Sequence, residues 1–429
     1  MERCALIHGV VTDGVNVFLE DGAIIVKDGE IEKIAPTYEI RSFIGNTLDV
    51  KGRLVIPGLL NAHHHLYSTL AVGLSPVGDV NNFVNILENL WWRLDKVLDD
   101  ESIYYSALLG VIDAVKHGTT MIFDHHASMN FVKGSLSILE EVFKQAGIKG
   151  TLCFETSARS GEEKVEGHIR ENIEFYEKHR SSDTLKGMMG LHANLTLTEG
   201  TLRMLQEEKP KDMPVHIHCG EDGSDMEYAK SLGYKGVVHR LVEHDLLTKD
   251  SILAHAIYLT EEDYRLIKEI KPVIVANPES NANNQVGRLD REKIKEYVLG
   301  TDGMSCDMIA TLRSHYLLGK GIREDFEALK KVFFDYRYKI QKYFFPDTGE
   351  FKEGYRADIT VLDYVPVTPI NKDNIIGHLL FGVKEGRVFL TMSDGEIIYK
   401  DGRVTFVDEE EVLKKAKIIA KKLHERYYG

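Results

Sequence analysis

The sequence contains two His-x-His pairs, and each ends a short run of apolar residues. His63 and His65 follow the run at 54–60, and His216 and His218 close the run that begins at residue 214. Residues two apart in an extended strand point to the same side, so each pair presents two imidazoles together and His64 faces away. Imidazole nitrogens with a nearby carboxylate suit a divalent metal such as zinc, with one position left for water.

Other ligand-type residues also follow apolar runs in the middle of the chain. They are Asp124, His125, His126, His192, Glu221, His255 and Asp302. A lone histidine after a strand is more often a hydrogen-bonded polar residue than a ligand, so His192 alone predicts no metal. A metal is favoured by the shared position of several such residues. The first His-x-His pair, His218, His255 and Asp302 all fall at the same end of their runs. We predict a metal centre there rather than a chance cluster of histidines.

These side chains need a fold that brings the ends of separate strands together. Eight β-rich runs alternate with helical patterns such as 102–117, 136–146 and 325–338. The runs are 54–60, 120–123, 150–154, 188–192, 214–218, 251–255, 272–276 and 297–300. The alternation predicts an α/β fold, a (β/α)8 TIM-like barrel over residues 58–350. An open doubly wound sheet is the alternative, but no glycine-rich nucleotide-binding pattern follows any run.

The two ends of the chain have a different sequence pattern from the middle. Short β-rich runs broken by Asp-Gly turns occupy both ends, and residues 409–427 form an amphipathic helical pattern with acids first and bases later. Chain ends often lie close together. We therefore predict a small β-sandwich domain built from residues 1–57 and 351–429.

Composition narrows the class of protein. The chain has 53 Lys and Arg against 67 Asp and Glu, a net charge of -14, so we expect no nucleic-acid partner. Its four cysteines form no Cys-x-x-Cys pair, which is typical of reduced thiols. No run approaches the roughly 20 apolar residues that span a bilayer, and the first residues lack the apolar segment of a signal peptide. We expect a soluble cytoplasmic protein with no membrane partner.

At these residues the sequence resembles the amidohydrolase superfamily. Residues 55–65, Val-Ile-Pro-Gly-Leu-Leu-Asn-Ala-His-His-His, are similar to its opening motif, and residues 299–303, Leu-Gly-Thr-Asp-Gly, to its closing one. His218 with Glu221 resembles the cytosine/guanine deaminase and triazine hydrolase branch. Residues 90–95 and 277–284 most resemble SsnA-type aminohydrolases. One departure is Ala276, where that branch usually has a histidine.

The resemblance implies roles for individual residues. The implied metal ligands are His63, His65, His218 and Asp302. His255 would contact the attacking water, Glu221 would move protons, and Asp302 would assist both as ligand and as base. The fourth run ends without the lysine or glutamate that bridges two metals in binuclear members, so one divalent ion per chain is expected. Zinc is the expected metal, with iron, manganese and nickel as alternatives. A homodimer is common among resembling proteins.

The implied activity is hydrolytic deamination of an aminated heterocycle of purine, pyrimidine or pterin type. A bound metal would lower the pKa of a water to about 7 and so supply hydroxide at neutral pH. The same hydroxide could instead cleave a cyclic amide or a ring carbon–halogen bond. A catalytically inactive relative that binds metabolites is the alternative from another class.

Contacts with this small-molecule heterocyclic substrate are predicted from position alone. His192 and His125 lie at strand ends, and Arg159 lies in the loop after the third run, where it could pair with a carboxylate or a ring carbonyl. Trp91 and Trp92 fall on a helical stretch, and we predict that they pack in the core.

Overall fold

The computed structural model of the protein describes residues 3–319, 326–384 and 387–429. The strands of these ranges are β1 (Cys4–Thr12), β2 (Phe18–Lys27), β3 (Glu30–Pro36), β4 (Asn46–Asp49), β5 (Leu54–Pro57), β6 (Leu59–His64), β7 (Thr119–His126), β8 (Lys149–Phe154), β9 (Leu185–Gly187), β10 (Met189–Ala193), β11 (Val215–Cys219), β12 (Ile252–His255), β13 (Val273–Ala276), β14 (Val298–Leu299), β15 (Ile359–Leu362), β16 (Val388–Ser393), β17 (Glu396–Lys400) and β18 (Arg403–Val404).

The helices connect and flank these strands. They are α1 (Phe83–Ile86), α2 (Trp92–Val97), α3 (Asp100–Lys116), α4 (Ser135–Ala146), α5 (Val165–His179), α6 (Glu199–Glu208), α7 (Gly223–Ser231), α8 (Val237–Glu243), α9 (Glu261–Ile270), α10 (Pro278–Asn283), α11 (Met308–Leu318), α12 (Phe326–Lys330), α13 (Tyr336–Phe344), α14 (Ile375–Phe381) and α15 (Glu409–Tyr428). Two π-helical turns, Leu87–Trp91 and Lys331–Asp335, join neighbouring helices. Within the described ranges, no helix combines the length and apolar character needed to span a membrane.

Two parallel sheets form the middle of the molecule. One has the order β6-β7-β8-β9 and the other β10-β11-β12-β13-β14. Parallel bridges join the sheets at two places, between Thr156 and Leu191 and between His64 and Asp302. Every residue of β7, β8 and β11 is buried, as expected for parallel strands covered on both faces. The predicted α/β class with parallel strands is therefore confirmed.

Helix α4 illustrates why the sequence folds in this way around the sheets. Leu136, Leu139 and Phe143 recur at helical spacing and are fully buried in the main core. The helix ends at Gly147, whose φ of 69° is the left-handed conformation that glycine adopts without strain. The apolar stripe and the glycine stop together position β8 immediately afterwards.

A third, mixed sheet takes strands from both ends of the chain. Its order is β18-β17-β16-β15-β5-β1-β2-β3, with β4 paired to β1. The predicted single run 54–60 is wrong in one respect, because it forms two strands. Leu54–Pro57 pairs with β1 and β15 in the mixed sheet, and Leu59–His64 belongs to a parallel sheet. At Gly58 between them, a Cβ would lie 2.3 Å from Thr120 Oγ1, so the chain crosses close to β7 there.

The other predicted elements differ mainly in their ends. The run 188–192 becomes β10, and the neighbouring strand β9 was not predicted. Helix patterns 102–117 and 136–146 correspond to α3 and α4. Of the pattern 325–338, residue 325 lies outside the described residues, and the rest is α12, a π-helical turn and the start of α13.

A buried ion cluster joins the start of β8 to the mixed sheet. Lys149 Nζ donates to Asp358 Oδ1 at 2.9 Å and Oδ2 at 3.1 Å, and to Asp394 Oδ1 at 2.6 Å. The Lys149 side chain is only 1% exposed. Asp394 also accepts a hydrogen bond from Arg356 Nε. We call Lys149, Asp358 and Asp394 the Lys149 cluster.

Candidate metal centre and its cavity

Four side chains from three strands converge at the C-terminal ends of the parallel sheets. His63 lies in β6 with His65 just after it, His218 lies in β11, and Asp302 follows β14. One ligand atom from each lies within 4.8 Å of the others. His65 Nε2 is 3.0 Å from His218 Nε2 and 2.8 Å from Asp302 Oδ1, and His63 Nε2 is 3.4 Å from the same oxygen. The structure thus brings together the set that the sequence resemblance implied.

Hydrogen bonds on the far side of the rings orient these ligand atoms. His65 Nδ1 donates to the His125 carbonyl at 2.6 Å, and His218 Nδ1 donates to the His192 carbonyl at 2.8 Å. Each bond fixes the ring so that Nε2 faces the cluster. His63 Nδ1 contacts His216 Nε2 at 2.8 Å, and His63 Nε2 is buried without a hydrogen bond. Three imidazole nitrogens and one carboxylate oxygen facing one point fit a divalent metal.

Charge in the cluster also suits a cation. Burial lowers the pKa of His63 to about 3, which keeps this ring neutral. Burial would raise the pKa of Asp302, but the close approach of His63 and His65 to its carboxylate holds that pKa well below its usual range. Burial opposes a proton on His65 as well, yet Asp302 raises the pKa of His65 to about 9. A metal would compete with that proton, because ligation requires the neutral ring.

A second group of titratable side chains shares Asp302. His255 Nε2 lies 3.5 Å from Glu221 Oε2 and 3.9 Å from Asp302 Oδ2. Burial and the charge of Asp302 raise the pKa of Glu221 well above its usual value, and burial lowers that of His255. Two neighbouring carboxyl groups with opposite pKa shifts can serve as proton donor and proton acceptor.

One short helix holds this group in place, and two residues of the group have strained backbone conformations. His255 and Asp302 have positive φ angles of 72° and 54°, a conformation that costs energy in non-glycine residues. Helix α10 and the residue after it contact all three side chains. Ser280 donates to Asp302, Asn281 Oδ1 contacts His255 Nδ1 at 2.7 Å, and Asn284 Nδ2 donates to Glu221 at 3.3 Å. Sequence reasoning missed Ser280, whose one signal was its place in the Asn-Pro-Glu-Ser-Asn segment after a strand.

His64 lies outside the metal cluster, in agreement with the strand alternation. Its Nδ1 contacts Thr301 Oγ1 at 2.9 Å and its Nε2 contacts Cys306 Sγ at 3.3 Å. Both ring nitrogens therefore face partners on the other side of β6.

A cavity of about 780 Å³ opens beside the metal cluster. Its polar lining residues include His65, His192, His218, Glu221, Asp302, Asp95, Glu155 and Arg159. Its apolar lining residues include Phe83, Leu87, Trp91, Trp92, Leu195 and Met304. The prediction that the two tryptophans pack in the core is incomplete: both pack against buried apolar residues, but they are half-buried and also line the cavity.

The predicted substrate contacts occupy different environments. His192 lines the cavity, and its Nδ1 contacts Thr196 Oγ1 at 2.8 Å, which leaves the Nε2 edge for a ligand. His125 lies behind the metal histidines and does not line the cavity. Its Nε2 faces the carbonyls of Leu191 and His216, each at 3.1 Å, and its Nδ1 faces Glu155 at 3.2 Å. Both ring nitrogens of His125 therefore have partners within the protein, and neither faces the cavity.

Arg159 lines the cavity but is already paired. Its Nη2 lies 2.6 Å from Asp95 Oδ2 and 2.8 Å from Glu155 Oε2, and its side chain is 3% exposed. The predicted pairing of Arg159 with a substrate carboxylate therefore meets a guanidinium whose charge is balanced by two carboxylates. Neither Asp95 nor Glu155 was singled out from the sequence, although Glu155 directly follows an apolar run. We call Asp95, Glu155 and Arg159 the Arg159 cluster.

Comparison with known proteins agrees with this geometry. A model of the amidohydrolase family matches residues 54–398. The chain is 29% identical over 406 residues to a 5-methylthioadenosine/S-adenosylhomocysteine deaminase of Thermococcus sibiricus, covering 91% of this chain and 92% of the relative.

Solved structures give the same result for the fold. An adenosine deaminase from Xanthomonas campestris with bound zinc superposes with a TM-score of 0.83 at 20% identity, covering 99% of this chain and 98% of that one. Guanine deaminase of E. coli gives a TM-score of 0.78 at 19% identity, with 94% and 100% covered. The predicted superfamily membership is confirmed: the chain belongs to the amidohydrolase family.

Proposed function

We propose that this protein is a metal-dependent deaminase that replaces the exocyclic amine of a purine- or nucleoside-like heterocycle with oxygen from water. The observation that carries the proposal is the Glu221–His255–Asp302 group, which sets a protonated and an ionised carboxyl beside the metal cluster at the cavity wall. The deaminase relative, which aligns with nine-tenths of the chain, supports the same chemistry.

Each residue of the group has a distinct task in this proposal. His63, His65, His218 and Asp302 would hold a divalent metal, which would supply Lewis acidity toward water. Glu221, kept protonated by its raised pKa, donates a proton to a ring nitrogen and so draws electrons from the carbon that bears the amine. Asp302 and His255 hold the attacking water and accept its proton. A C–O bond forms, the C–N bond breaks, and the accepted proton leaves with ammonia. The remaining proton of the new hydroxyl group returns to Glu221 as the oxygen becomes a carbonyl.

The remaining substrate contacts follow from the cavity. His192 is the best placed of the predicted contacts, because it lines the cavity and the metal does not need it. Arg159 is assigned a positioning role through Asp95 and Glu155, and His125 supports the metal site through its carbonyl contact with His65.

The finer architecture is also part of the proposal. The bridges Thr156–Leu191 and His64–Asp302 support closure of the two parallel sheets into a (β/α)8 barrel over residues 58–350. One apolar cluster unites residues of β1–β3 with residues of β15 and β16, which supports a β-sandwich formed from 1–57 and 351–429.

Zinc as the metal, a cytoplasmic location and a homodimer are further parts of the proposal, and zinc is supported by the zinc-containing structural neighbour.

The decisive experiment compares Glu221→Gln with wild-type protein in an ammonia-release assay on purines, adenine nucleosides, pterins and pyrimidines. We expect kcat/KM to fall about 10²–10⁴-fold with metal content unchanged, because the ring nitrogen loses its acid. Glu279→Gln is the matched control, since Glu279 lies on α10 but bonds Ser314 and Thr311 instead of facing the cavity. Near-normal turnover by the metal-loaded Glu221→Gln variant would contradict the proposal.

The same assay separates the alternative reactions. Halide release or ring opening without ammonia would replace deamination by carbon–halogen or cyclic-amide hydrolysis. Elemental analysis of the purified protein, followed by reconstitution with zinc, iron, manganese or nickel, identifies the metal. Absence of both metal and hydrolysis would instead favour an inactive binding protein.

A further inference from the structure

The charges on the cavity wall are strongly one-sided. Among the described residues that line it, Arg159 is the one arginine or lysine. The acidic residues on the same wall are Asp95, Glu155, Glu221, Asp222, Asp225 and Asp302. Even with Glu221 protonated and a divalent metal bound, carboxylates outnumber the positive charges. A cleft lined by one sign of charge repels ligands of that sign.

The one cationic side chain offers no compensation. Arg159 is held between Asp95 and Glu155 at 2.6 and 2.8 Å, and its side chain is 3% exposed. The guanidinium also lies over the Trp92 ring, 5.8 Å from its centre. The other two guanidinium nitrogens, Nη1 and Nε, have no hydrogen-bond partner but are buried, so a substrate phosphate or carboxylate could reach them only by disturbing the packing around these ion pairs.

Apolar side chains of the same cavity suit a different kind of substituent. Phe83, Leu87, Trp91 and Met304 also line it. An uncharged substituent attached to the heterocycle can bury apolar area there, whereas a charged one would be desolvated without a partner.

We propose that this cavity selects heterocycles whose substituent carries no negative charge, and that the acidic excess of its lining excludes phosphorylated and carboxylated analogues. This inference rests on the proposed deaminase function for the orientation of the base toward the metal. It names the substrate class as uncharged nucleoside-like amines.

The chain supplies its own binding reporter. Its two tryptophans, Trp91 and Trp92, both line the cavity, so intrinsic tryptophan fluorescence responds to occupancy independently of turnover. The probes are 5′-deoxyadenosine, adenosine and adenosine 5′-monophosphate, with cytidine and cytidine 5′-monophosphate as a second pair. Within each series the base is constant and the substituent gains charge. We expect the uncharged members to bind about 100-fold more tightly than the monophosphates in metal-loaded protein at low salt.

The variant Asp222→Asn tests whether the negative charge of the cavity lining causes the selection against charged substituents. Asp222 lines the cavity and caps α7 by accepting from Ser224 N at 3.0 Å, a cap that asparagine preserves. We expect this variant to narrow the ratio between adenosine and its monophosphate about tenfold. Glu208→Gln, an exposed position at the end of α6 away from the cavity, is the matched charge control and leaves the ratio unchanged.

The outcomes separate the two proposals. Uncharged nucleosides that bind in preference to monophosphates but release no ammonia support the charge selection and overturn the deaminase function. Monophosphates that bind as tightly as the uncharged members overturn the charge selection, whether or not ammonia is released. Failure of every uncharged probe to change the fluorescence also overturns it, because the apolar lining would then lack the occupant proposed here.

Discussion

Strand β8 has a buried cation at each end, and the two cations are held in the same way. Lys149, the first residue of the strand, lies between Asp358 and Asp394. Arg159, five residues after the last one, lies between Asp95 and Glu155. Each cluster sets one buried cation between two carboxylates, yet only the Arg159 cluster lines the cavity. Position along the strand, not chemistry alone, therefore separates a structural ion cluster from a functional one.

The partners of the two cations show what each cluster connects. Lys149 reaches residues more than 200 positions away in the sequence and joins β8 to the mixed sheet. Arg159 instead leads through Glu155 to His125, whose carbonyl orients His65. The first arrangement holds sheets together, and the second supports ligands of the metal centre. Mutations at the two ends should accordingly separate stability from activity.

Lys149→Met should produce the larger loss of stability. Removing this cation leaves the buried Asp358 without a cationic partner, while Asp394 keeps its ion pair with Arg356, and breaking such a buried pair costs about 3–5 kcal/mol. We expect the free energy of unfolding from urea denaturation to fall by that amount, while kcat/KM per folded molecule stays within about twofold. Lys144→Met is the control, because Lys144 is exposed on α4 and its ion pair contributes about 0–1 kcal/mol. A fall in kcat/KM as large as that of a cavity variant would contradict the distinction.

Arg159→Lys should affect activity more than stability. Lysine keeps the charge but cannot match the planar geometry of the guanidinium between two carboxylates. We expect Glu155 and Trp92 to lose their fixed positions, with kcat/KM about tenfold lower and the free energy of unfolding about 1 kcal/mol lower. The matched exchange Lys149→Arg should leave kcat/KM unchanged. Wild-type kinetics in Arg159→Lys would show that the cluster has no positioning role.

Local periodicity explains what could be predicted from the sequence. The two-residue spacing of His63 and His65 places both on one side of β6 and His64 on the other, since strand alternation needs no distant information. The same holds for the helix α4, whose apolar stripe is continuous. Partners of the ion clusters could not be predicted, because Asp95 and Arg159 are 64 positions apart and no local pattern joins them.

Two other errors have physical reasons. The run 54–60 contains Pro57-Gly58, a turn signal that the prediction of a single run does not treat as a boundary, and the change of sheet there brings the chain close to β7. Trp91 and Trp92 lie on helical turns. The sequence pattern of an apolar helix face is the same whether that face packs in a core or lines a cavity. Only the empty space beside them distinguishes the two cases.

His117→Gln should give the smallest effect and extends the comparison to pH. His117 lies between α3 and the start of β7, so it belongs with Lys149 at the N-terminal ends of the strands. Burial would lower the pKa of His117, but hydrogen bonding to Asp113 and the charges of Asp113 and Asp307 raise it to about 9. Because the folded pKa exceeds the ordinary 6.5, the folded state binds the proton more tightly, and this stabilisation is complete below pH 6.5 and lost as pH rises through 9.

We therefore expect His117→Gln to lower the free energy of unfolding by about 1 kcal/mol below pH 6.5, a value discounted because the ring is partly exposed. The difference from wild-type protein should shrink as the pH rises and vanish above pH 9, while kcat/KM stays equal at each pH. Urea denaturation over this pH range measures the first quantity and ammonia release the second. A difference independent of pH would mean that His117 acts through packing, and a change in kcat/KM would mean that the N-terminal ends of the strands also tune the site.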